Sequence, residues 1–425
     1  MRKDYNLSYS IVIIGGGSAG MASAIEAWDN GVKDILILEK ENHLGGILLQ
    51  CIHNGFGLHT FKEELTGPEY ASRFEGEVKS RNIDYKISSV VLKIEKYNDE
   101  FLVHFSNEED GYVIVKAKAI ICATGCSERT RGAIGIPGDR SSGVMTAGLA
   151  QKYLNIEGYM VGKKVFILGS GDIGLIMARR MVLEGAKVLG VAEMMPYSNG
   201  LNRNIVQCLN DYNIPLFLHH TVKETIGKTR LEKVIIQELD DNFNFVPGTE
   251  KEFEVDTLLL SIGLIPSNPQ LEELGVKIHP RTKGPIVNQY LETSIKGIFA
   301  CGNGLHVHDL VDFVSQEGKV VGLNASKYVK GELDKEDINN KINIINGNGV
   351  GYVMPSFTNK DVDNTKVSFR VSKPYKNVIL NIKQGDNIIK SIKKPYMLPA
   401  EMENVIIDSK LLSNLDNITL EVIDG

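Results

Sequence analysis

The chain has 425 residues, too many for a single hydrophobic core, and its 43% hydrophobic and 24% charged content is that of an ordinary globular protein. A net charge of −6 without a Lys/Arg-rich run argues against nucleic acid as a partner, and no apolar stretch nears the roughly 20 residues of a membrane-spanning helix. The five cysteines (Cys51, Cys122, Cys126, Cys208, Cys301) lack CxxC spacing, and no signal-peptide pattern opens the chain, so the sequence predicts a cytoplasmic protein.

Ile11–Ile14, four apolar residues, run into Gly15-Gly16-Gly17-Ser18-Ala19-Gly20 and then a small-residue segment. This predicts a buried strand, a tight turn and a helix, the opening of a dinucleotide-binding βαβ unit. Gly15 supplies the turn, Gly17 lets the backbone approach a pyrophosphate, and Gly20 lets helix pack on strand. The helix start, with Ser18 and Ala19, then points at the phosphates. The next strand, Ile35–Leu38, ends in Glu39-Lys40, and the interval from Gly15 to Glu39 (39 − 15 = 24) suits a carboxylate reaching ribose hydroxyls.

Beyond a glycine-rich stretch over 43–57, Lys62 to Lys79 has helical spacing, with Gly67-Pro68 as a break. Ile83–Ile94, Phe101–Phe105 and Tyr112–Val115 alternate as an antiparallel meander, and a buried strand follows that ends in Cys122-Ala123-Thr124-Gly125.

A second copy begins at Lys164. Strand Lys164–Leu168 leads into Gly169-Ser170-Gly171-Asp172-Ile173-Gly174 and a helix, and the following strand ends in Glu193. The interval repeats (193 − 169 = 24), which makes two independent chance matches hard to sustain. A second meander over Val234–Phe253 and the strand Thr257–Leu260, closing at Gly263, complete a unit of the same plan.

These two fingerprints, followed by Thr293-Ser294-Ile295-Lys296-Gly297-Ile298-Phe299-Ala300-Cys301-Gly302-Asn303, resemble the pyridine nucleotide–disulfide oxidoreductases. The resemblance implies an α/β fold of two Rossmann-like three-layer nucleotide-binding domains, the first for FAD (residues 1–150 and 265–330) and the second for NAD(H) (151–264). It implies FAD contacts at Gly15, Gly17, Ser18, Ala19, Gly20, Glu39, Lys40, Gly46, Val91 (beside the adenine), Ala123, Thr124, Gly125, Gly302 and Asn303. In the family the last of these is usually an aspartate bonded to the ribityl chain; the amide of Asn303 can still donate and accept. NAD(H) contacts fall at Gly169, Gly171, Asp172, Ile173, Gly174, Glu193 and Gly263. The segments 45–57, 169–180 and 306–313 are further similar to the FAD/NAD-binding subunit of multi-component anaerobic glycerol-3-phosphate dehydrogenases. They are more distantly similar to subunits of dye-linked amino-acid and opine dehydrogenases and of hydrogen cyanide synthase. That likeness implies a substrate-oxidising flavoprotein and a small cysteine-rich protein as partners.

Hydride exchange between NAD(H) and flavin is therefore the expected reaction. A carboxylate at Glu193 accepts from a free ribose diol and repels a 2′-phosphate, and no cation appears before Arg203, so NAD(H) is expected over its phosphorylated form. The dithiol of disulfide reductases, CxxxxC after the first acidic strand or CxxC in the second domain, is missing. Cys122, Cys126 and Cys301 read as packing residues. Cys51 has two readings, a buried structural thiol or a redox centre beside the flavin, the latter making the chain a stand-alone NADH oxidase or peroxidase. A non-catalytic FAD/NADH-binding sensor is the other alternative.

His306-Val307-His308-Asp309 offers ligand-type side chains, but HxH with an adjacent acid is a weak metal signature, and no metal is expected. Proton handling beside the flavin and a structural role remain for His306 and His308, and the same holds for His53. These three histidines and Cys51 are the catalytic candidates. The helix starting near Asp309 carries Gly318 and Gly322, which suggest tight packing on the sheet. Residues 331–344 read as a polar linker. Alternating strands at Val367–Val371, Asn377–Lys383, Asn387–Lys393 and Ile418–Val422 make 345–425 a small sandwich-like all-β domain, for partner docking or homo-oligomer contact.

Overall fold

A computed structural model describes residues 7–333 and 340–425. Strand β1 (Leu7–Ile14) lies parallel between β2 (Ile35–Leu38) and β3 (Gly111–Cys122), with Ile11 beside Ile35 and Ala119. All four residues of β2 and the last five of β1 are buried, as a parallel sheet covered on both faces requires. Between β1 and β2 runs helix α1 (Ser18–Asp29), its first nine residues almost all small or apolar and buried apart from Glu26.

Helix α2 (Gly67–Ser80) starts five residues later than its spacing suggests. Thr66 Oγ1 accepts from Glu69 N (3.4 Å) while Glu69 Oε2 accepts from Thr66 N (2.8 Å), a capping box with Pro68 in the first turn. Gly67-Pro68 is thus the helix start and not a break. The stretch 83–94 also divides: Asp84–Lys86 extends the parallel sheet beside β2, and Val90–Tyr97 pairs antiparallel with Glu100–Asn107. The third meander strand and the buried strand after it are one element, β3. Its first half pairs with Glu100–Asn107 while it also lies along β1.

The chain forms two units, Met1–Cys126 with Pro266–Gly425, and Ser127–Ile265. In the second, β4 (Lys164–Leu168), α3 (Asp172–Leu183), β5 (Lys187–Glu193) and β6 (Thr257–Leu260) repeat the first plan. The parallel sheet runs Val144–Thr146, β6, β4, β5, Leu216–Leu218. Side chains alternate across β4: Val165 and Ile167 join the core under the helices, and Phe166 and Leu168 join Val222, Val234 and Ile236 of an antiparallel sheet. That sheet has strands His220–Ile226, Lys233–Glu238 and Lys251–Glu254, the first of which the sequence did not single out.

Returning to the first unit, β7 (Ile298–Ala300) pairs parallel with β3, and α4 (Val311–Lys330) packs on α1. Gly318 and Gly322 serve that helix contact rather than the sheet. A Cβ at either would stand 2.4 or 2.3 Å from the carbonyl oxygens of Ala19 and Ser23. Part of the expected linker, residues 334–339, lies outside the described residues. The C-terminal β region follows, with β8 (Val350–Met354) and β9 (Asn364–Val371) in a three-stranded sheet beside a five-stranded one. Ile342, Val367, Phe369, Leu380, Ile418 and Leu420 form its core. The architecture is the expected one, two α/β nucleotide-binding folds with a C-terminal β region. Among the described residues no helix is long and apolar enough to cross a membrane.

Candidate functional site

The glycine turn after β1 is built by close approach. At Gly15 (φ +106°) a Cβ would stand 2.3 Å from Ala123 O, and at Gly20 one would stand 1.9 Å from Gly15 O. At Gly17, by contrast, nothing lies within 4 Å, and no side chain caps α1. An uncapped helix N-terminus over open space fits the pyrophosphate of FAD. Gly46 (φ +58°) lies against Gly17 Cα, and at Gly302 (φ +66°) a Cβ would crowd Ala19 Cβ at 2.9 Å. The turns after β1, β3 and β7 therefore converge: Asn268 donates to Gly304 O (2.7 Å), and Thr124 Oγ1 lies 3.5 Å from its amide oxygen.

Glu39, 5% exposed, accepts from Gly16 N (2.6 Å) and Glu41 N (2.8 Å), so its carboxylate clamps the turn and keeps further acceptor capacity. Lys40 beside it is exposed. Val91 is buried opposite Phe105, and its carbonyl accepts from Gln270. Ser88 and Ser89 meet the strand end, donating to Glu41 O and Glu39 O.

The second unit repeats the device. Gly169 (φ +96°) and Gly174 pack against Ser261, and α3 has no side-chain cap at Gly171. Glu193, 4% exposed, accepts from Ser170 N (3.0 Å), Ser170 Oγ (2.7 Å) and Met195 N (3.0 Å). Asp172 Oδ1 accepts from Leu201 N (2.8 Å) and Asn204 Nδ2 (2.6 Å). Ile173 is half-buried in the first turn of α3, and Gly263 (φ +100°) closes the turn after β6, its carbonyl accepting from Arg129 N. Sequence reasoning missed Ser170 and Ser261, although both occupy the variable positions of the glycine and strand-end motifs.

Of the catalytic candidates, Cys51 and His53 lie between β2 and α2. Cys51 Sγ donates to Ile47 O at 3.4 Å, and burial pushes its thiol up to about 12. The His53 ring lies tilted against Phe56, centroids 4.9 Å apart, with Nδ1 donating to Asn54 O. The loop between them and α2 is held by Asp312 in the first turn of α4, which accepts from Gly57 N (3.2 Å) and Thr60 N (2.8 Å).

His306 and His308 do meet, with ring centroids 4.3 Å apart. Both Nε2 atoms face Glu317 Oε1 on α4, at 2.9 and 3.5 Å, and Glu317 Oε2 accepts from Gly302 N (2.6 Å). Burial pushes the Glu317 carboxyl up, but the two imidazoles outweigh it and hold the group well below the ordinary range. Burial holds His306 below its usual value. Asn303 Oδ1 accepts from His308 N (3.0 Å) within this turn. The C-terminal region closes over the segment: Tyr352 OH of β8 lies 3.4 Å from His306 Nδ1, and Arg370 of β9 donates to Val307 O and Asp309 Oδ1. No local pattern links Glu317, Tyr352 or Arg370 to the HxHD motif, which is why the sequence did not reveal them.

The chain matches the family model described as pyridine nucleotide-disulphide oxidoreductase over residues 9–318. It belongs to that family. The oxidoreductase is 25% identical over 318 residues to an opine oxidase subunit from Agrobacterium tumefaciens (strain Ach5), covering 70% of this chain and 61% of that protein's length. It is 25% identical over 329 residues to a 34.2 kDa protein in a rubredoxin operon of Clostridium pasteurianum, covering 76% of this chain and 97% of the relative. Its fold matches T. acidophilum thioredoxin reductase with a TM-score of 0.61 at 24% identity, over 76% of this chain and 98% of that one. The family's cofactors are FAD and NAD(P)H, and the enzyme class is FAD-dependent NAD(P)H oxidoreductase.

Proposed function

We propose that this oxidoreductase is the electron-transfer subunit of a multi-component dehydrogenase and exchanges hydride between NAD(H) and FAD. The observation that carries the reading is that a chain of a family that binds FAD and NAD(P)H has no disulfide. All five cysteines are free thiols, and burial pushes Cys51 and Cys122 up to about 12 and Cys208 up to about 11. A reduced thiol accepts no electrons and no disulfide joins any two of these cysteines, so in this reading electrons on the flavin pass to or from a second protein. The raised Cys51 thiol argues against a Cys51-dependent NADH oxidase or peroxidase.

In this reading Gly15, Gly17 and the start of α1 hold the FAD pyrophosphate, and Glu39 takes its ribose. Gly169, Gly171 and the start of α3 hold the NAD(H) pyrophosphate. Glu193, with one acceptor position left after Ser170 and Met195, takes the free ribose diol and turns away a 2′-phosphate. Bound FAD supplies the two-electron chemistry, and the chain contributes binding, orientation and electrostatics.

A substrate-oxidising flavoprotein and a small cysteine-rich protein are the proposed partners, with an anaerobic glycerol-3-phosphate dehydrogenase as the named example and the cytoplasm as its place. Two relatives support a partnered role by their names, one belonging to an opine oxidase as a subunit, the other from a rubredoxin operon. The test is affinity purification of the tagged chain from its native extract. Copurification of a dehydrogenase that restores substrate-dependent NAD+ reduction supports the reading; a chain that purifies alone with full NADH oxidase turnover overturns it.

A further inference from the structure

We propose that His306, His308 and Glu317 form a binding site for one divalent first-row transition-metal ion, zinc(II) or iron(II), at the start of α4. The ligand atoms of the three side chains lie within 4.8 Å of one another. Both imidazoles present Nε2 to the same carboxylate oxygen, at 2.9 and 3.5 Å. Ligands bound at about 2.0–2.1 Å in tetrahedral array stand about 3.3 Å apart, close to the 2.9 and 3.5 Å of the two histidine–carboxylate contacts.

The cluster is buried, with side-chain exposures of 1%, 5% and 9% for His306, His308 and Glu317. Among the described residues the two imidazoles are the ion-pair partners of Glu317. Arg370, the cation on the overlying β9, points its guanidinium at Asp309, Val307 O, Pro399 O and Ala400 O. A buried carboxylate whose Oε1 faces two imidazoles, and whose Oε2 takes one backbone N–H, suits a positive charge where the imidazoles meet it.

Two of the atoms turned away from that focus are already held. Glu317 Oε2 takes the Gly302 N–H, and His306 Nδ1 faces the Tyr352 hydroxyl. Such outer partners fix ring tautomer and carboxylate orientation at metal sites. The ring of His308 has its one polar contact through Nε2, since Nδ1 is buried without a hydrogen-bond partner among the described residues. On binding, each neutral imidazole carries its proton on Nδ1 and gives the Nε2 lone pair to the ion. Two imidazoles and a carboxylate suit zinc(II) or iron(II) and disfavour magnesium and calcium, which favour oxygen. The ion would tie the 306–308 turn to α4, with Tyr352 of the C-terminal β region behind it.

The experiment is metal analysis of the full-length FAD-loaded protein, purified without chelator and then reconstituted anaerobically with zinc(II) or iron(II) alone. About one equivalent per chain is expected, lost in H306A/H308A and E317Q variants that keep their FAD; Tyr352→Phe, which removes only the outer hydroxyl, weakens metal affinity about tenfold. Wild-type protein that retains less than about a tenth of an equivalent of either ion overturns the proposal, whether or not the variants fold. Equal metal content in the FAD-loaded H306A/H308A variant also overturns it, as metal bound elsewhere.

Discussion

Glu193 accepts two hydrogen bonds from Ser170, 3.0 Å from the backbone N–H and 2.7 Å from the hydroxyl, with Met195 N filling a third position. The acid proposed to select the nucleotide thus also shapes the glycine turn of the second unit. In the first unit Glu39 holds Gly16 N in the same way at 2.6 Å. Replacing Glu193 by Gln removes the negative charge and keeps an acceptor for Ser170. At about 4 Å a charge pair is worth a few kcal/mol near a protein surface, so the preference for NADH over NADPH should shrink by at least about tenfold. KM values for flavin reduction by each nucleotide measure this, and an unchanged preference would place selection elsewhere.

Gly17 and Gly20 should respond to the same substitution in opposite ways. A methyl group at Gly17 enters open space in an extended backbone, so Gly17→Ala should keep its thermal midpoint and lose FAD affinity. A methyl at Gly20 stands 1.9 Å from Gly15 O, so Gly20→Ala should lose about 3 kcal/mol of stability or more. Thermal denaturation with and without added FAD separates the two effects.

Burial pushes the Cys51 thiol up to about 12, which leaves a thiolate fraction of about one part in ten thousand at pH 8. The sign is clear: reactivity should rise only as pH climbs towards the raised value. Iodoacetamide should label Cys51 in the folded protein far more slowly than in urea, and Cys51→Ser should still be reduced by NADH. Rapid labelling at pH 8 would show an activated thiol and revive the peroxidase reading.

Asp312 was not singled out by the sequence, yet it is 2% exposed and holds two backbone N–H groups of the loop over 57–60. Asp312→Ala strands both donors and should cost about 2–4 kcal/mol; Asp312→Asn keeps an acceptor and should cost less than half of that. Chemical denaturation of the two variants checks the order.

What the sequence made legible was local. The units from Gly15 to Glu39 and from Gly169 to Glu193 were readable because strand, turn and helix are contiguous there and glycine leaves a visible mark. The start of α2 was misjudged because Lys62–Thr66 continues the helical spacing, while the Thr66–Glu69 capping box and Pro68 set the true beginning. β3 looked like two strands because Lys116 and Lys118 interrupt its apolar run, although a single strand serves both the meander and the parallel sheet. Contacts of long range, such as Arg370 with Asp309 or Tyr352 with His306, leave no periodic trace and required the fold.

The central claim is that electrons on the flavin have no dithiol to share them within this chain. Anaerobic titration of the purified FAD-loaded protein with NADH, followed by flavin absorbance, tests it most directly, because one NADH carries the two electrons that one FAD accepts. Complete bleaching at about one NADH per FAD is the predicted result. An endpoint near two NADH per FAD would reveal a second, sulfur-based acceptor and contradict the account.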